Sequence, residues 1–340
     1  MFRQDRTNPS TAVSNWRGRH DTPKAWPSTG VSTWLNGGLF GAPVLTAFGG
    51  IITQYEDSGT TYRVHTFRGS GKFYVASGSG EVDYLIVAGG GSSKGAYSFA
   101  GQNGASGGGG GGGVLTGTGH AVAAGTYAIV VGMGGKGSQG NGVDYAAAED
   151  STALGYTATK GGFGGALSEI GGDGGSGGGG GDGLHVGNVA AGGGGGYGGV
   201  GADQAGADAQ AGGSGVAGPP RQGYDGGTAG TSSLYGGNGG IGATGYGITS
   251  TAVYYAGGGG GGGKGSGSEG EETSGGGGGG AASSGAGDGH ATALNTTHYG
   301  DAVPNTGSGG GGIGAMGHLI FCYGGDGAPG IVIIRYEVAA

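Results

Sequence analysis

From about Phe48 to Ala88 the apolar positions come in short runs. Ile51 to Tyr55, Tyr62 to Phe67, Lys72 to Ala76 and Val82 to Ala88 are rich in β-branched and aromatic residues. The breaks between them, Glu-Asp-Ser-Gly, Arg-Gly-Ser-Gly and Ser-Gly-Ser-Gly, carry turn chemistry. The pattern predicts an antiparallel β meander over 46–88. Its alternation is only partly amphipathic. Tyr62, Val64 and Thr66 fall on the face opposite Arg63, His65 and Phe67, and Leu85 to Ala88 is continuously apolar, as in a strand covered on both faces. Thr126 to Val131 and Ile331 to Tyr336 have the same character. Both are predicted to pair with Tyr84 to Ala88, which would hold the two ends of the intervening chain at one sheet.

That intervening chain alternates glycine runs with variable links. The runs are Gly107 to Gly113, Gly161 to Gly165 around Phe163, Gly171 to Gly183 with Asp173, Ser176 and Asp182, Gly192 to Gly199, Gly236 to Gly240, Gly257 to Gly263, Gly275 to Gly280 and Gly307 to Gly314. Their irregular recurrence suggests units that cannot bury themselves and must stack on neighbours. Of the 105 glycines, all but a dozen follow Ala88, so this half has too few large side chains for an interdigitated core. Collagen is excluded, since there is no fixed triplet and Pro numbers only 8.

A glycine-rich chain is ordinarily a flexible linker, but linkers intersperse Ser and other polar residues, whereas these runs reach seven consecutive glycines and lie between strands of buried type. The competing state is a threefold extended helix of about 3.1 Å rise per residue, whose outward-pointing backbone groups pair between helices when no Cβ holds the neighbours apart. The expected fold is therefore mainly β with packed polyglycine-II helices: a short antiparallel β meander plus a glycine-rich helix sandwich, with little or no α-helix. Its parts are an N-terminal anchoring arm over 1–45, the meander over 46–88, a glycine-rich body with variable links over 89–330, and a closing β-strand over 331–340.

Charge sharpens the division. The formal charge is −8, yet the basic residues Arg3, Arg6, Arg17, Arg19 and Lys24 cluster before Ala25. The same polar arm holds all the tryptophans, Trp16, Trp26 and Trp34, suited to filling pockets on a neighbour. Arg3, Arg6, Trp16, Trp26 and Trp34 are accordingly expected to anchor the chain to a partner. Net acidity argues against nucleic acid as a ligand. Cys322 is the single cysteine, so no intrachain disulfide forms. The first residues lack the apolar core of a secretory signal, from which release by lysis is expected.

Catalytic chemistry is not expected. Lys136 and Lys264 are each followed by Gly rather than by the Ser or Thr of a phosphate loop. Seven histidines are scattered without zinc spacing. The Asp-Gly pairs at Asp173, Asp182, Asp225, Asp288 and Asp326 lack the periodic acidic array of a calcium site and read as turns. The expectation is a non-enzyme with no cofactor and no metal. What the links do carry is aromatic side chains, among them Tyr224, Tyr235, Tyr254, Tyr255, His298 and Tyr299. Gathered at a tip they would suit receptor recognition; spread along the bundle they would cover its outer face.

Val-Asp-Tyr-Leu-Ile-Val-Ala-Gly-Gly-Gly at Val82 to Gly91, Gly-Gly-Val-Leu-Thr-Gly at Gly112 to Gly117, Ala-Gly-Thr-Tyr-Ala-Ile-Val-Val-Gly at Ala124 to Gly132 and Gly-Ile-Val-Ile-Ile-Arg-Tyr at Gly330 to Tyr336 stand in this order. The series resembles the glycine-rich domain of bacteriophage tail and tail-fibre proteins, common in marine phages, over roughly Thr46 to Val338. In architecture it is also similar to tail-fibre-tip adhesins of T-even-like phages, in which a polyglycine-II sandwich presents variable loops. The resemblance implies an extracellular virion protein of the tail, partnered by other tail proteins or by copies of itself, a trimer for instance, and adhering to a host glycan or outer-membrane protein. A purely structural tail or capsid-decoration component and an extracellular glycine-rich fibre are the alternatives. The arm over 1–45 has no counterpart in the resemblance.

Overall fold

The computed structural model describes residues 45–97, 103–140, 145–185, 189–197, 200–201, 203, 210–228, 236–244, 254–264, 286–288, 300–315 and 321–338. Among these the protein is mainly β, without α-helix, and its largest element is a curled antiparallel sheet.

The sheet is built from β1 (Thr46–Phe48), β2 (Ile51–Asp57), β3 (Thr60–Phe67), β4 (Gly71–Val87), β5 (Val114–Ile129) and the closing strand β8 (Ile331–Val338), with a hairpin of β6 (Ser151–Ala153) and β7 (Tyr156–Ala158) packed beside it. β2 and β3 form the expected hairpin through Ser58 and Gly59, both at positive φ. Two expectations are corrected. Lys72 to Ala76 and Val82 to Ala88 are not separate strands; Ser77 to Gly80 continues as strand, because β5 pairs along almost the whole of β4 and the register shift between Val75 and Ser79 absorbs the glycines as a bulge. The chain is also no simple meander, since β8 inserts between β3 and β4, pairing Val332 with Phe67 and with Ile86.

The closing strand pairs with Tyr84 to Val87 as its apolar run predicts. Thr126 to Ile129, however, lies opposite Gly71 to Tyr74, and Val114 to Gly117 takes the place beside Tyr84 to Val87. Both faces of the sheet are covered around β4 and β8, whereas β2 is largely exposed. Phe73, Val75, Val82, Ile86, Val122, Ile129, Val332 and Ile334 fill the inside of the curl, whereas Val64, Leu85, Val87, Ile331 and Ile333 pack on Tyr255 and Ala256 from the glycine-rich body. Each such side chain stabilises by about 1.5–3 kcal/mol on burial. On β8, Arg335 donates to Asp83 at 2.9 Å and to the Tyr55 hydroxyl at 2.7 Å, fastening the end of the chain to β4 and β2.

Below the sheet the glycine runs form a bundle whose hydrogen bonds rotate with a period of three. Gly107, Gly110 and Gly113 donate to Gly165, Gly162 and Thr159; Gly108 and Gly111 donate to Gly192 and Gly195; Gly109 and Gly112 donate to Gly310 and Gly307, all at 2.7–3.1 Å. The carbonyls of Gly108 and Gly111 accept from Gly179 and Ser176, those of Gly110 and Gly113 from Gly91 and Ala88, and that of Gly109 from Gly259. One glycine segment is thus ringed by six others, three accepting from it and three donating to it, and its seven amides are paired without a side chain.

The glycines of this run are not there for left-handed backbone, because none of Gly107 to Gly113 has positive φ. They are there for proximity: a Cβ on any of Gly107 to Gly112 would sit 2.0–2.3 Å from a neighbouring backbone oxygen. Phe163, which interrupts its run, is half-buried, lies under the Lys94 side-chain nitrogen and meets Tyr145 edge-on.

Candidate functional site

Hydrogen-bond register gives every link a level along the bundle. Val114 begins β5, and Ala88 and Gly330 adjoin β4 and β8, so the Gly113 level is the sheet end. Ser106 and Gly107, with their partners Ile313, Gly262 and Gly165, mark the far end.

At the far end the segments pass into short antiparallel ladders. Asn103–Ala105 pairs with Asp182–His185 and with Gly314–Ala315. Ala96–Tyr97 pairs with Phe321–Cys322, and Val189–Ala190 pairs with Gly263–Lys264. In every ladder the strands come from different links. Four links, spanning 96–105, 182–190, 263–286 and 314–322, are therefore tied sideways into one end surface; residues 98–102, 186–188, 265–285 and 316–320 lie outside the described residues. Asp182, where one of these links leaves its glycine run, is fully buried and accepts the adjacent Gly183 amide at 2.8 Å.

Beside the ladders, a turn at Ala166 to Ile170 is held by a cation clamp. Lys94 Nζ lies 2.5 Å from Glu169 Oε1 and over the Phe163 and Tyr145 rings, 3.7 and 5.1 Å from their centroids. Glu169 Oε2 also accepts the Ala166 amide. Burial, then the Glu169 carboxylate, raises the Tyr145 hydroxyl above its ordinary pKa, so that ring is neutral beside the ammonium.

The aromatic candidates that are described lie at the opposite end. Tyr224 is half-buried under the Arg221 guanidinium, 4.2 Å from its ring, and its carbonyl accepts the Gly177 amide. Tyr254 and Tyr255 pair with Thr244 and Ala243. Tyr255 is 4% exposed and packs against the sheet, and burial raises its hydroxyl pKa. Its ring joins body to sheet and offers no outward surface, so as a surface contact it is corrected by burial. Tyr235, His298 and Tyr299 lie outside the described residues, as do Arg3, Arg6, Trp16, Trp26 and Trp34.

The Asp-Gly pairs do more than turn the chain. Asp173 accepts the Ser214 amide at 2.6 Å, Asp225 that of Gly215 at 2.8 Å and Asp326 that of Gly137 at 2.6 Å. Asp150, Asp203 and Asp301 do the same for Lys160, Thr228 and Asp326. Carboxylates thus cap backbone amides, a role that short-range sequence pattern does not reveal because the partners lie 10 to 189 positions away. Among the described residues no three acidic, histidine or cysteine side chains converge as metal ligands.

Residues 66–337 match the family described as a glycine-rich domain. The chain belongs to that family. The matched span of the glycine-rich domain opens in β3 and closes in β8, two strands paired to each other, so it takes in the bundle and most of the sheet that ties its ends. No curated protein matches the chain.

Proposed function

We propose that this glycine-rich domain protein is a bacteriophage tail or tail-fibre component whose glycine segments are polyglycine-II helices and whose far-end links contact the host surface. The observation that carries the reading is the lateral tying of four links at the end opposite the sheet. A rigid bundle with variable links collected at one end is the arrangement an adhesive tip needs, because backbone-only packing leaves the links free to differ without disturbing the core. The threefold rotation of hydrogen bonds supports the polyglycine-II assignment, and the series of motifs from Val82 to Tyr336 supports the phage assignment. The arm over 1–45, with Arg3, Arg6, Trp16, Trp26 and Trp34, anchors the chain to another tail protein or to copies of itself in a homo-oligomer, and several copies per virion raise a modest single-site affinity. The ligand is a host glycan or outer-membrane protein, the setting is the extracellular virion tail, and the protein performs no catalysis.

The test is a chimaera in which links 98–102, 186–188, 265–285 and 316–320 are exchanged for those of another such protein, leaving every described ladder intact. Capture of outer-membrane vesicles from a panel of marine bacteria by the immobilised chain is expected to change its preferred source with the swapped links. Unchanged capture by a folded chimaera overturns adhesion at this end and leaves the purely structural reading, a tail or capsid-decoration component. Polymerisation of the isolated chain would instead mark an extracellular fibre.

A further inference from the structure

One strand of the sheet has incomplete surroundings. Among the described residues β2 pairs with β3 alone, so its other edge offers a row of backbone amides and carbonyls. Directly paired residues share a face. Ile51, opposite Thr66, lies on the face of Val64, where the glycine-rich body packs; Ile52, opposite His65, lies on the inner face of the curl. Both are half-exposed, at 52% and 45%, and Thr53 and Gln54 beside them are exposed too. A missing cover on one face would expose alternate residues, whereas exposure of four residues in succession marks a missing lateral neighbour. Just upstream, Phe48 and its partner Tyr74 are half-exposed as well. β2 also lacks the lysine, proline or bulge that commonly blunts such an edge, and its only charges, Glu56 and Asp57, stand at one end.

The chain itself supplies a segment that fits. Residues 1–44, outside the described residues, lead into Leu45 and β1, which passes through Gly49 and Gly50 into β2. Within them Val31, Ser32, Thr33, Trp34 and Leu35 have the composition of a strand, followed by the turn chemistry of Asn36, Gly37 and Gly38. Extended, this segment carries Val31 and Leu35 on one face and Trp34 on the other, which matches an edge with one isoleucine on each face. Its link is long enough: residues 36–44 reach about 30 Å, and Leu45 is within about 20 Å of Ile51. The antiparallel direction, with Leu35 beside Ile51 and Val31 towards Tyr55, needs the shorter return. It also brings Lys24, Arg19 and Arg17, which precede the segment, past the end bearing Glu56 and Asp57. We propose that the free edge of β2 is the docking site of the chain's own segment 31–35, added as a strand. Trp34 covers one face of the edge and Val31 with Leu35 the other. This inference goes beyond the far-end reading and does not depend on it. It leaves Arg3, Arg6, Trp16 and Trp26 to the partner of the arm and roots the arm on the sheet, away from the four tied links.

The experiment uses the full chain with Trp16→Phe and Trp26→Phe, which leaves Trp34 as its one tryptophan, and reads acrylamide quenching of its emission. Docking is expected to lower the quenching constant at least about threefold below that of N-acetyltryptophanamide. The value should hold over a roughly hundredfold range of protein concentration, because the contact is intramolecular. Adding Ile51→Lys and Ile52→Lys, both at exposed positions, should bring quenching to within about twofold of the free amide. Independently, Thr33→Pro, which breaks the added strand without touching the described fold, should speed exchange of the 51–57 amides at least about fivefold and leave Leu85 to Val87 unchanged. The proposal is overturned if Trp34 is quenched as freely as the amide, if the two lysines leave quenching unchanged, or if Thr33→Pro leaves exchange of 51–57 unchanged. Shielding of Trp34 that appears only as concentration rises overturns it too, since the segment then docks on a second copy.

Discussion

Replacing Gly109 by Ala separates a packed bundle from a flexible one by the sign of its effect. In a flexible chain the methyl restricts the unfolded and mobile states and is neutral or stabilising, by about 0.4–1 kcal/mol. Here the new Cβ would lie 2.1 Å from Gly91 O, 2.5 Å from Gly91 C and 3.0 Å from Ser92 N. To accept it, the Gly91 segment must retreat by about 1 Å, an overpacking displacement that itself costs about 1–3 kcal/mol. The retreat stretches the Gly91-to-Gly110 hydrogen bond of 2.8 Å and the Gly310-to-Gly91 bond of 2.9 Å, both in the interior. Buried groups left without partners add about 1–3 kcal/mol each. With partial relaxation the expected cost is about 3–5 kcal/mol, read as a Tm lower by about 10 °C. Gly69 is the control, because a Cβ there meets nothing within 4 Å and its φ is not positive. Urea unfolding followed by far-ultraviolet circular dichroism measures both variants. If Gly109→Ala falls within about 0.5 kcal/mol of Gly69→Ala, the close packing inferred for the central segment is wrong.

Three further outcomes follow from the same geometry. Asp326→Ala strips the cap from the Gly137 amide, which it accepts at 2.6 Å, and should cost about 1.5–3 kcal/mol in urea unfolding. His65 is fully buried with Nδ1 2.8 Å from the Gly49 carbonyl, which can only accept, and with Nε2 unpartnered. Burial lowers its pKa below the usual 6.5, with the Gly49 bond opposing and Arg63 adding to the lowering. The unfolded chain therefore binds the proton more readily. Stability is full above pH 6.5 and declines as pH falls from there towards the depressed folded value, by up to about 1.4 kcal/mol per pH unit, a component His65→Phe should remove in unfolding titrations between pH 5 and 8. Lys94→Met keeps length and loses charge. It should speed amide exchange across 166–170 at least about fivefold, as the Glu169 pair and the contacts to Phe163 and Tyr145 are lost, while leaving exchange in β4 unchanged.

The strand content was legible because β-branched and aromatic runs bounded by glycine and serine carry their own signal, and Leu85 to Ala88 read correctly as doubly covered. The order of strands was less legible. The insertion of β8 between β3 and β4 depends on the long path through the bundle, and Ser77 to Gly80 looks like a turn unless β5 is known to run beside it. The level of each link was hidden for the same reason. Tyr254 and Tyr255 have the composition of an exposed aromatic tip, but nothing near them in sequence indicates that Ala256 meets Thr306 at the sheet end. Likewise, Asp173 and Asp326 look like turn residues until their partners, 41 and 189 positions away, are seen. The β6–β7 hairpin, too, is one that short apolar runs do not announce.

Amide exchange in the Gly107 to Gly113 segment of the intact chain, resolved by glycine-selective nitrogen labelling, tests the central claim most directly. The account predicts protection comparable to that of the Leu85 to Val87 amides, since every donor in the segment is paired, in rotation, with one of three neighbouring segments in an interior that excludes water. Exchange at the rates of an unstructured glycine peptide would contradict it.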